Sequence, residues 1–322
     1  MAKAKVVLLH GLDKPTLDWV VAHVPDDFAL TPVSGKLPEP AIVEAARDAE
    51  FLMVYRASLS DTVLKAAPNV RLVQLLAAGY DGVNLESMRA LNIPCAQNAG
   101  ANSWAVADYA VLLMLAVYRR LVLADRSTRE GRWRQPITGL NTYEMDGKLV
   151  GVLGIGNIGS KVARRVQGFG ARVQYYDKFL LSPQREQEIG VARVSMDELF
   201  RTSDIVTLHS PLTPETHNLV NADVLASMKP TAVIINTSRG EIIDEAALVA
   251  ALQQGRLAGA GLDVFEKEPV DAANALLALE NVVVSPHSAG TTIDTWGRRL
   301  EFAFGNMRRV GAGEAPLALV TV

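Results

Sequence analysis

Three charged or titratable side chains, Arg239, Glu268 and His287, each stand just beyond a short apolar run of this 322-residue chain. Together they could reduce a carbonyl. A planar guanidinium at Arg239, in Asn236-Thr237-Ser238-Arg239-Gly240, can fork a carboxylate and polarise the carbonyl oxygen beside it. Imidazoles titrate near neutrality, so a histidine in Ser285-Pro286-His287-Ser288-Ala289-Gly290 suits the general acid or base of an alcohol–carbonyl pair. Glu268, in Phe265-Glu266-Lys267-Glu268-Pro269, can accept from the other ring nitrogen, fix the tautomer and favour the protonated ring. Each residue also has a plainer reading: a surface arginine, a structural histidine, and an acidic run that is a solvated loop.

A hydride carrier is suggested by a second motif. Gly154-Ile155-Gly156-Asn157-Ile158-Gly159 follows the apolar stretch Leu149-Val150-Gly151-Val152-Leu153 and opens a helical pattern over 160–169. Glycines there permit a tight turn, close approach of backbone to a pyrophosphate, and close helix-to-strand packing, while N–H groups at the helix start meet the negative charge. Asp177 ends the next apolar run, 18 residues past Gly159, near the ~20 expected of an acid that accepts from a ribose 2′-hydroxyl. The same charge repels a 2′-phosphate, and no arginine follows within Lys178-Phe179-Leu180-Leu181. The expected cofactor is therefore NAD rather than NADP. The plain alternative is a glycine turn and a surface aspartate of some other α/β protein.

Elements able to hold these residues are legible as alternating apolar and amphipathic segments. Apolar runs at 149–153, 172–176, 205–208, 233–236, 261–265 and 282–285, spaced by helix-length stretches, predict right-handed βαβ units and a parallel sheet. Runs at 6–9, 51–54 and 72–76 predict a second α/β unit. The length exceeds what one core usually serves, so the expected fold class is α/β with two Rossmann-like, doubly wound domains and the active site in the cleft between them. Residues 1–100, completed by a returning helix over about 292–310 within 290–322, would bind substrate, and 101–289 would bind NAD. The apolar stretch 104–123 is interrupted by Asp108, Arg119 and Arg120 and reads as a buried helix capped by Asn102 or Ser103. The polar connection 125–147 is long for a loop and is expected to pack on a second subunit.

Composition narrows the class. Hydrophobic residues make up 49% and charged residues 21%, with a formal net charge of -3, which excludes a nucleic-acid footprint and gives no membrane span. One cysteine, Cys95, offers neither a disulfide nor a metal cluster and reads as a buried hydrophobe in a cytoplasmic protein.

On these motifs the chain resembles the D-isomer-specific 2-hydroxyacid dehydrogenases. The likeness runs from about Leu72 through Ala78-Gly79-Tyr80-Asp81, the helix over 102–119, the glycine motif, His209-Ser210-Pro211-Leu212-Thr213, the Arg239 segment, Leu262-Asp263-Val264-Phe265-Glu266-Lys267-Glu268-Pro269 and Pro286-His287. It implies that Arg239 binds substrate, Glu268 supports His287, and His287 gives a proton to the carbonyl oxygen of a small 2-keto acid. It further implies cofactor contacts at Gly154, Gly156, Asn157, Ile158, Gly159, Asp177, Ser210, Pro211, Thr237, Ser238, Asp263 and Gly290, with Asp263 near the carboxamide, and carboxylate-binding amides at Ala78 and Gly79. His209 would line the cofactor cleft; His10, His23 and His217 carry no motif. Formate is disfavoured because formate dehydrogenases carry Gln where Glu268 stands, and phosphite because Ala78 replaces a lysine. Tyr55, Arg56, Tyr80 and Trp296 are the expected selectivity positions. The same fold also serves NAD-sensing binding proteins and corepressors, the competing class. A homodimer is expected, since two-fold dimers are the commonest assembly.

Overall fold

The computed structural model describes residues 3–80, 83–98, 100–133, 137 and 139–320. Asp81 of the Ala78-Gly79-Tyr80-Asp81 motif, Ala99, and residues 134–136 and 138 of the polar connection lie outside the described residues. The chain divides into two units, Met1–Asn102 with Thr291–Val322, and Ser103–Gly290.

In the first unit β1 (Ala4–His10), α1 (Lys14–Ala22), β2 (Phe28–Ser34), α2 (Glu39–Ala46), β3 (Phe51–Tyr55), α3 (Asp61–Ala66), β4 (Leu72–Leu75), α4 (Leu85–Ala90) and β5 (Cys95–Ala96) alternate. The strands form one parallel sheet in the order β2-β1-β3-β4-β5. Local chemistry sets the helix starts. Asp13 accepts the Thr16 N–H at 2.9 Å with Pro15 beside it, and the Ser60 hydroxyl and Asn84 amide oxygen do the same for Val63 and Ser87. One face of the sheet packs Val7, Leu9, Leu52 and Val54 against Ile42 and Ala46 of α2 and Val63 and Leu64 of α3. Cys95 joins that core, and burial pushes its thiol up to about 12.

The second unit opens with α5 (Ser103–Tyr118) and α6 (Leu121–Arg129) and continues through β6 (Leu149–Leu153), α7 (Gly159–Gln167), β7 (Arg172–Tyr176), α8 (Pro183–Ile189), β8 (Ala192–Arg193), α9 (Met196–Thr202), β9 (Ile205–Leu208), α10 (Ala222–Ser227), β10 (Val233–Asn236), α11 (Glu245–Gln253), β11 (Gly259–Leu262) and β12 (Val282–Val284). Its seven parallel strands run in the order β12-β11-β10-β9-β6-β7-β8. Both faces are covered, so β9, β10 and β11 are buried along their whole length. On one face Ala107, Val111 and Met114 of α5 and Val162 and Val166 of α7 meet Val150 and Val152. On the other, Leu199, Leu225, Leu248 and Leu252 meet Leu153, Val206 and Ile234. The apolar stretch 104–123 is two helices, divided where Arg120 takes a left-handed φ of 47°. No helix among the described residues is long and apolar enough to cross a membrane.

The chain then returns to the first unit as α12 (Ile293–Gly311), started by the Thr292 hydroxyl on the Thr295 N–H at 3.1 Å. Trp296, Leu300, Ala303, Phe304 and Met307 recur at helical spacing and cover the other face of that sheet, against Leu8, Phe28, Phe51 and Met53. A buried amide pair fixes the docking. Asn306 Nδ2 donates to Gln74 Oε1 at 2.8 Å and to the Leu317 carbonyl at 3.0 Å, while its Oδ1 accepts the Leu317 N–H at 2.8 Å. Gln74 Nε2 in turn donates to the carbonyls of Leu75, Ala96 and Gln97. Asn306→Ala strands Gln74 Oε1 and the Leu317 groups, and a buried polar atom left unsatisfied costs ~1–3 kcal/mol. Urea unfolding should therefore show a lowered midpoint; one equal to the native protein's would deny the pair any part in stability.

Candidate active site

Between β6 and α7 the three glycines answer three different demands. Gly154 has φ of 91°, and a Cβ there would lie 2.8 Å from the His209 carbonyl carbon and 2.9 Å from the Ser210 nitrogen, so the chain leaving β9 passes directly against it. A Cβ on Gly159 would sit 2.0 Å from the Gly154 oxygen and 2.9 Å from Val152 Cγ1, which leaves no room for a side chain between helix and strand. Around Gly156 a Cβ would meet, among the described residues and apart from its chain neighbours, no atom within 4 Å. That open cradle lies beside Asn157 and Ile158, where α7 starts with no side-chain cap on its N–H groups.

Asp177, at the end of β7, is half-buried, and its carboxylate accepts the Ile155 N–H at 2.8 Å and the Phe179 N–H at 2.9 Å. At the ends of β9 and β10, His209 Nδ1 and Thr237 Oγ1 are buried with no hydrogen-bond partner among the described residues. Burial pushes the His209 imidazole down to about 3, and its Nε2 lies 2.9 Å from Thr207 Oγ1. The Ser210 hydroxyl reaches the Leu153 carbonyl at 3.4 Å, and the Pro211 carbonyl accepts from Thr216 at 2.7 Å. An open cradle, orphaned polar atoms and a pinned acid at one edge of the sheet suit an extended, polyhydroxylated, anionic ligand, as NAD is.

The charged residues gather at the same edge. His287 Nδ1 and Glu268 Oε2 are 2.7 Å apart, with both side chains partly open to solvent. Glu268 Oε1 accepts the Phe265 N–H at 3.1 Å. Burial opposes charge on Glu268, but the hydrogen bond and charge of His287, the Phe265 N–H and the Arg239 guanidinium outweigh it and hold the carboxyl below its ordinary value. His287 itself sits at φ 50°, left-handed for a residue with a side chain. Arg239 caps a short 3₁₀ turn, with Nη1 on the Ser238 carbonyl at 2.7 Å. Its own carbonyl accepts from Asn236 Nδ2 at 2.8 Å, and Asn236 Oδ1 takes the N–H and hydroxyl of Ser238 at 3.0 Å each.

Other expected positions fall as follows. Asp263 is wholly buried, and its carboxylate is engaged by Ser285, Ser288 and Ala289. Gly290 is half-buried where the second unit ends. Ala78 and Gly79 belong to the first unit, half-buried in the bend after β4. Also in that unit, Tyr55 and Trp296 are buried ring against ring at 4.9 Å with Arg299 over both, and Arg56 and Tyr80 are exposed. Asn236 and Ser285 were not anticipated. Their only signal is a polar residue closing an otherwise apolar strand, in Val-Ile-Ile-Asn and Val-Val-Val-Ser. Among the described residues no group of three His, Cys, Asp or Glu could hold a metal.

The family model described as D-isomer specific 2-hydroxyacid dehydrogenase, NAD binding domain, matches residues 111–289. A glyoxylate reductase of Korarchaeum cryptofilum is 40% identical over 283 residues, 87% of this chain and 85% of that protein. One from Thermococcus gammatolerans is 35% identical over 325 residues, 99% and 96% of the two chains. The crystal structure of a glyoxylate reductase from Paecilomyes thermophila superposes with a TM-score of 0.85 at 28% identity, covering 99% of each chain. The chain therefore belongs to the D-isomer-specific 2-hydroxyacid dehydrogenase family and is an NAD-dependent enzyme of it.

Proposed function

We propose that this enzyme reduces a small 2-keto acid of the glyoxylate, hydroxypyruvate or pyruvate kind to its D-2-hydroxy acid, with His287 as the proton donor. The observation that carries this reading is the 2.7 Å contact of His287 Nδ1 with a carboxylate held below its ordinary pKa. Glu268 so held gives up its charge less readily than an ordinary carboxylate, and a carboxylate at Nδ1 favours the charged imidazole and turns Nε2 toward substrate. Arg239 forks the substrate carboxylate and draws electron density from the C2 carbonyl. Ala78 and Gly79 stay in the proposal as further carboxylate donors through their amides. Bound NADH supplies the hydride to C2. His287 gives its proton to the carbonyl oxygen, so one hydride and one proton complete the alcohol. For the cofactor, the uncapped start of α7 at Asn157 and Ile158, beside Gly156, would hold the pyrophosphate, Asp177 would accept from the ribose, and Ser210, Pro211, Thr237, Ser238, Asp263 and Gly290 would line the rest. The first unit is the substrate-binding domain and the second the NAD-binding domain.

Loss of NADH absorbance with a panel of 2-keto acids tests the activity; NADH binding without any turnover would mean a sensor. His287→Ala should lower kcat by ~10²–10⁴ with NADH affinity kept, as for a lost general acid. Glu268→Gln removes the charge that favours the imidazolium, so the alkaline limb of the reduction profile should move to lower pH. A superimposable profile would remove Glu268 from the mechanism.

The glycines separate binding from folding. Gly156→Ala should fold with native stability and lose NADH affinity ~10-fold or more, because only a ligand competes for that space. Gly159→Ala should instead lose stability by ~1–3 kcal/mol or more through overpacking. Equal NADH titrations for native and Gly156→Ala would place the pyrophosphate elsewhere.

The working form is a cytoplasmic homodimer in this proposal. Leu121 and Val122 on α6, Trp133 and Leu140 are all more than half exposed on the lone chain, Leu140 at 92%, and apolar surface of this kind suits a partner. Val122→Asp with Leu140→Asp should shift sedimentation from dimer to monomer. A native protein that sediments as a monomer at working concentration would end the assembly proposal.

A further inference from the structure

We propose that Asn98 is a positioning residue for substrate binding: it holds, from behind, the peptide group whose N–H at Ala78 meets the substrate carboxylate. Backbone pairing of β4 with β5 is short and ends at Gln74 opposite Ala96. Past that point side-chain amides take over. Gln74 Nε2 donates to the Ala96 carbonyl at 3.3 Å and to the Gln97 carbonyl at 3.2 Å. Asn98 returns two donors to the chain leaving β4, its Nδ2 to the Leu76 carbonyl and its N–H to the Ala77 carbonyl, each at 3.2 Å. Both ends of this grip are anchored. Leu76 donates its N–H to the Val54 carbonyl of β3 at 2.9 Å, and the Asn98 carbonyl accepts the Ala101 N–H at 2.8 Å. All of these residues belong to the first unit.

A trans peptide group is planar, so the Ala77 carbonyl and the Ala78 N–H point in opposite directions from one rigid plate. A donor on that carbonyl therefore fixes where the N–H aims. It also polarises the N–H, since hydrogen bonds linked through one peptide strengthen one another. The bond from Nδ2 to the Leu76 carbonyl fixes the preceding plate, which carries the Ala77 N–H, in the same way. Stability does not account for an amide at this position. Asn98 is 0% exposed, and its Oδ1 has no hydrogen-bond partner among the described residues. A buried acceptor left unmade costs at least what the bond on the donor side returns. The donor side orients the bend, and that is the use the position makes of an asparagine.

The inference rests on the reading that Ala78 receives the substrate carboxylate, and its test separates the two ideas. Asn98→Leu has a like volume and lacks the donor. It should raise KM for the 2-keto acid, and the inhibition constant of oxamate, an unreducible isostere of pyruvate, by ~10-fold each, the scale of one weakened hydrogen bond to a charged group. kcat should stay within ~2-fold, because a carboxylate contact is the same in ground and transition states. NADH affinity, read by fluorescence titration, should be held. If Asn98→Leu does not fold, Asn98→Ala takes its place with the same expectations. Asn306→Ala loosens α12 through the neighbouring amide of Gln74 and should leave both constants near native. An equal rise in Asn306→Ala would mean general loosening and overturns the proposal, as do native constants in the Asn98 variant. In the native enzyme with NADH, oxamate should shift the amide NMR signal of Ala78. Without that shift the carboxylate reading falls alone, and the grip is judged in the ligand-free protein. The Ala78 amide nitrogen responds to a hydrogen bond on the Ala77 carbonyl of its own peptide group, so a signal moved by Asn98→Leu supports the grip and an unmoved one overturns it.

Discussion

A parallel sheet buried on both faces has one place where polar groups can be exposed and still be held by rigid elements, and that is the edge at which its strands end. In the second unit Val233, Ile234 and Ile235 are at most 1% exposed, and the next three residues are Asn236, Thr237 and Ser238. The same change from apolar to polar occurs at His209 after β9, at Asp263 after β11, at Ser285 after β12 and at Asp177 after β7. Burial drives the strands inward, backbone pairing fixes their register, and the groups at their ends come together from positions scattered over more than a hundred residues. The chemistry depends on this edge more than on any single contact.

Charge at that edge is handled in two ways. Asp263 is buried, and its carboxylate is matched by three donors from the protein. Glu268 and His287 are partly solvated, and a pair so exposed adds little to stability. In the proposed mechanism its part is to orient the ring. The hydrogen bond and charge of His287, against burial, hold the Glu268 carboxyl below its ordinary value.

The sequence speaks clearly where one physical rule dominates. Strands β6, β7, β9 and β10 are mostly apolar runs and were legible to the residue. β11 lies at Gly259–Leu262, two residues or more before the expected run at 261–265, because Val117 and Leu113 of α5 press on it and a Cβ at Gly259 or Gly261 would meet them within about 3 Å. Small residues carry no strand signal. β2 escaped notice because it is an edge strand with Thr31 and Pro32 facing outward, and edge strands tolerate proline. β5 and β8 are two residues each, below any periodic pattern. Arg239, Glu268 and His287 stood out in the sequence as candidates because charged side chains follow apolar runs there, and the 2.7 Å contact of Glu268 with His287 brings two of them together. Asn236 and Ser285 were not: Asn236 acts within its own turn on Ser238 and Arg239, where it reads as one more polar residue, and Ser285 reaches back to Asp263, a bond that leaves no trace in local spacing.

In the proposed cofactor site the ligand needs to contribute little, because the protein has arranged the charge first. Asp177 is fixed by two backbone N–H groups, one from the glycine loop at Ile155 and one from its own turn at Phe179. Its position is therefore set by the same loop that leaves open space at Gly156, so the pyrophosphate cradle and the ribose acceptor cannot drift apart. A ribose hydroxyl adds a donor to oxygens already in place. A 2′-phosphate would bring a second negative charge against a carboxylate that backbone bonds prevent from turning away. On that proposal, selectivity for NAD comes from a charge held still, which is a stronger constraint than the mere presence of an acid at that spacing.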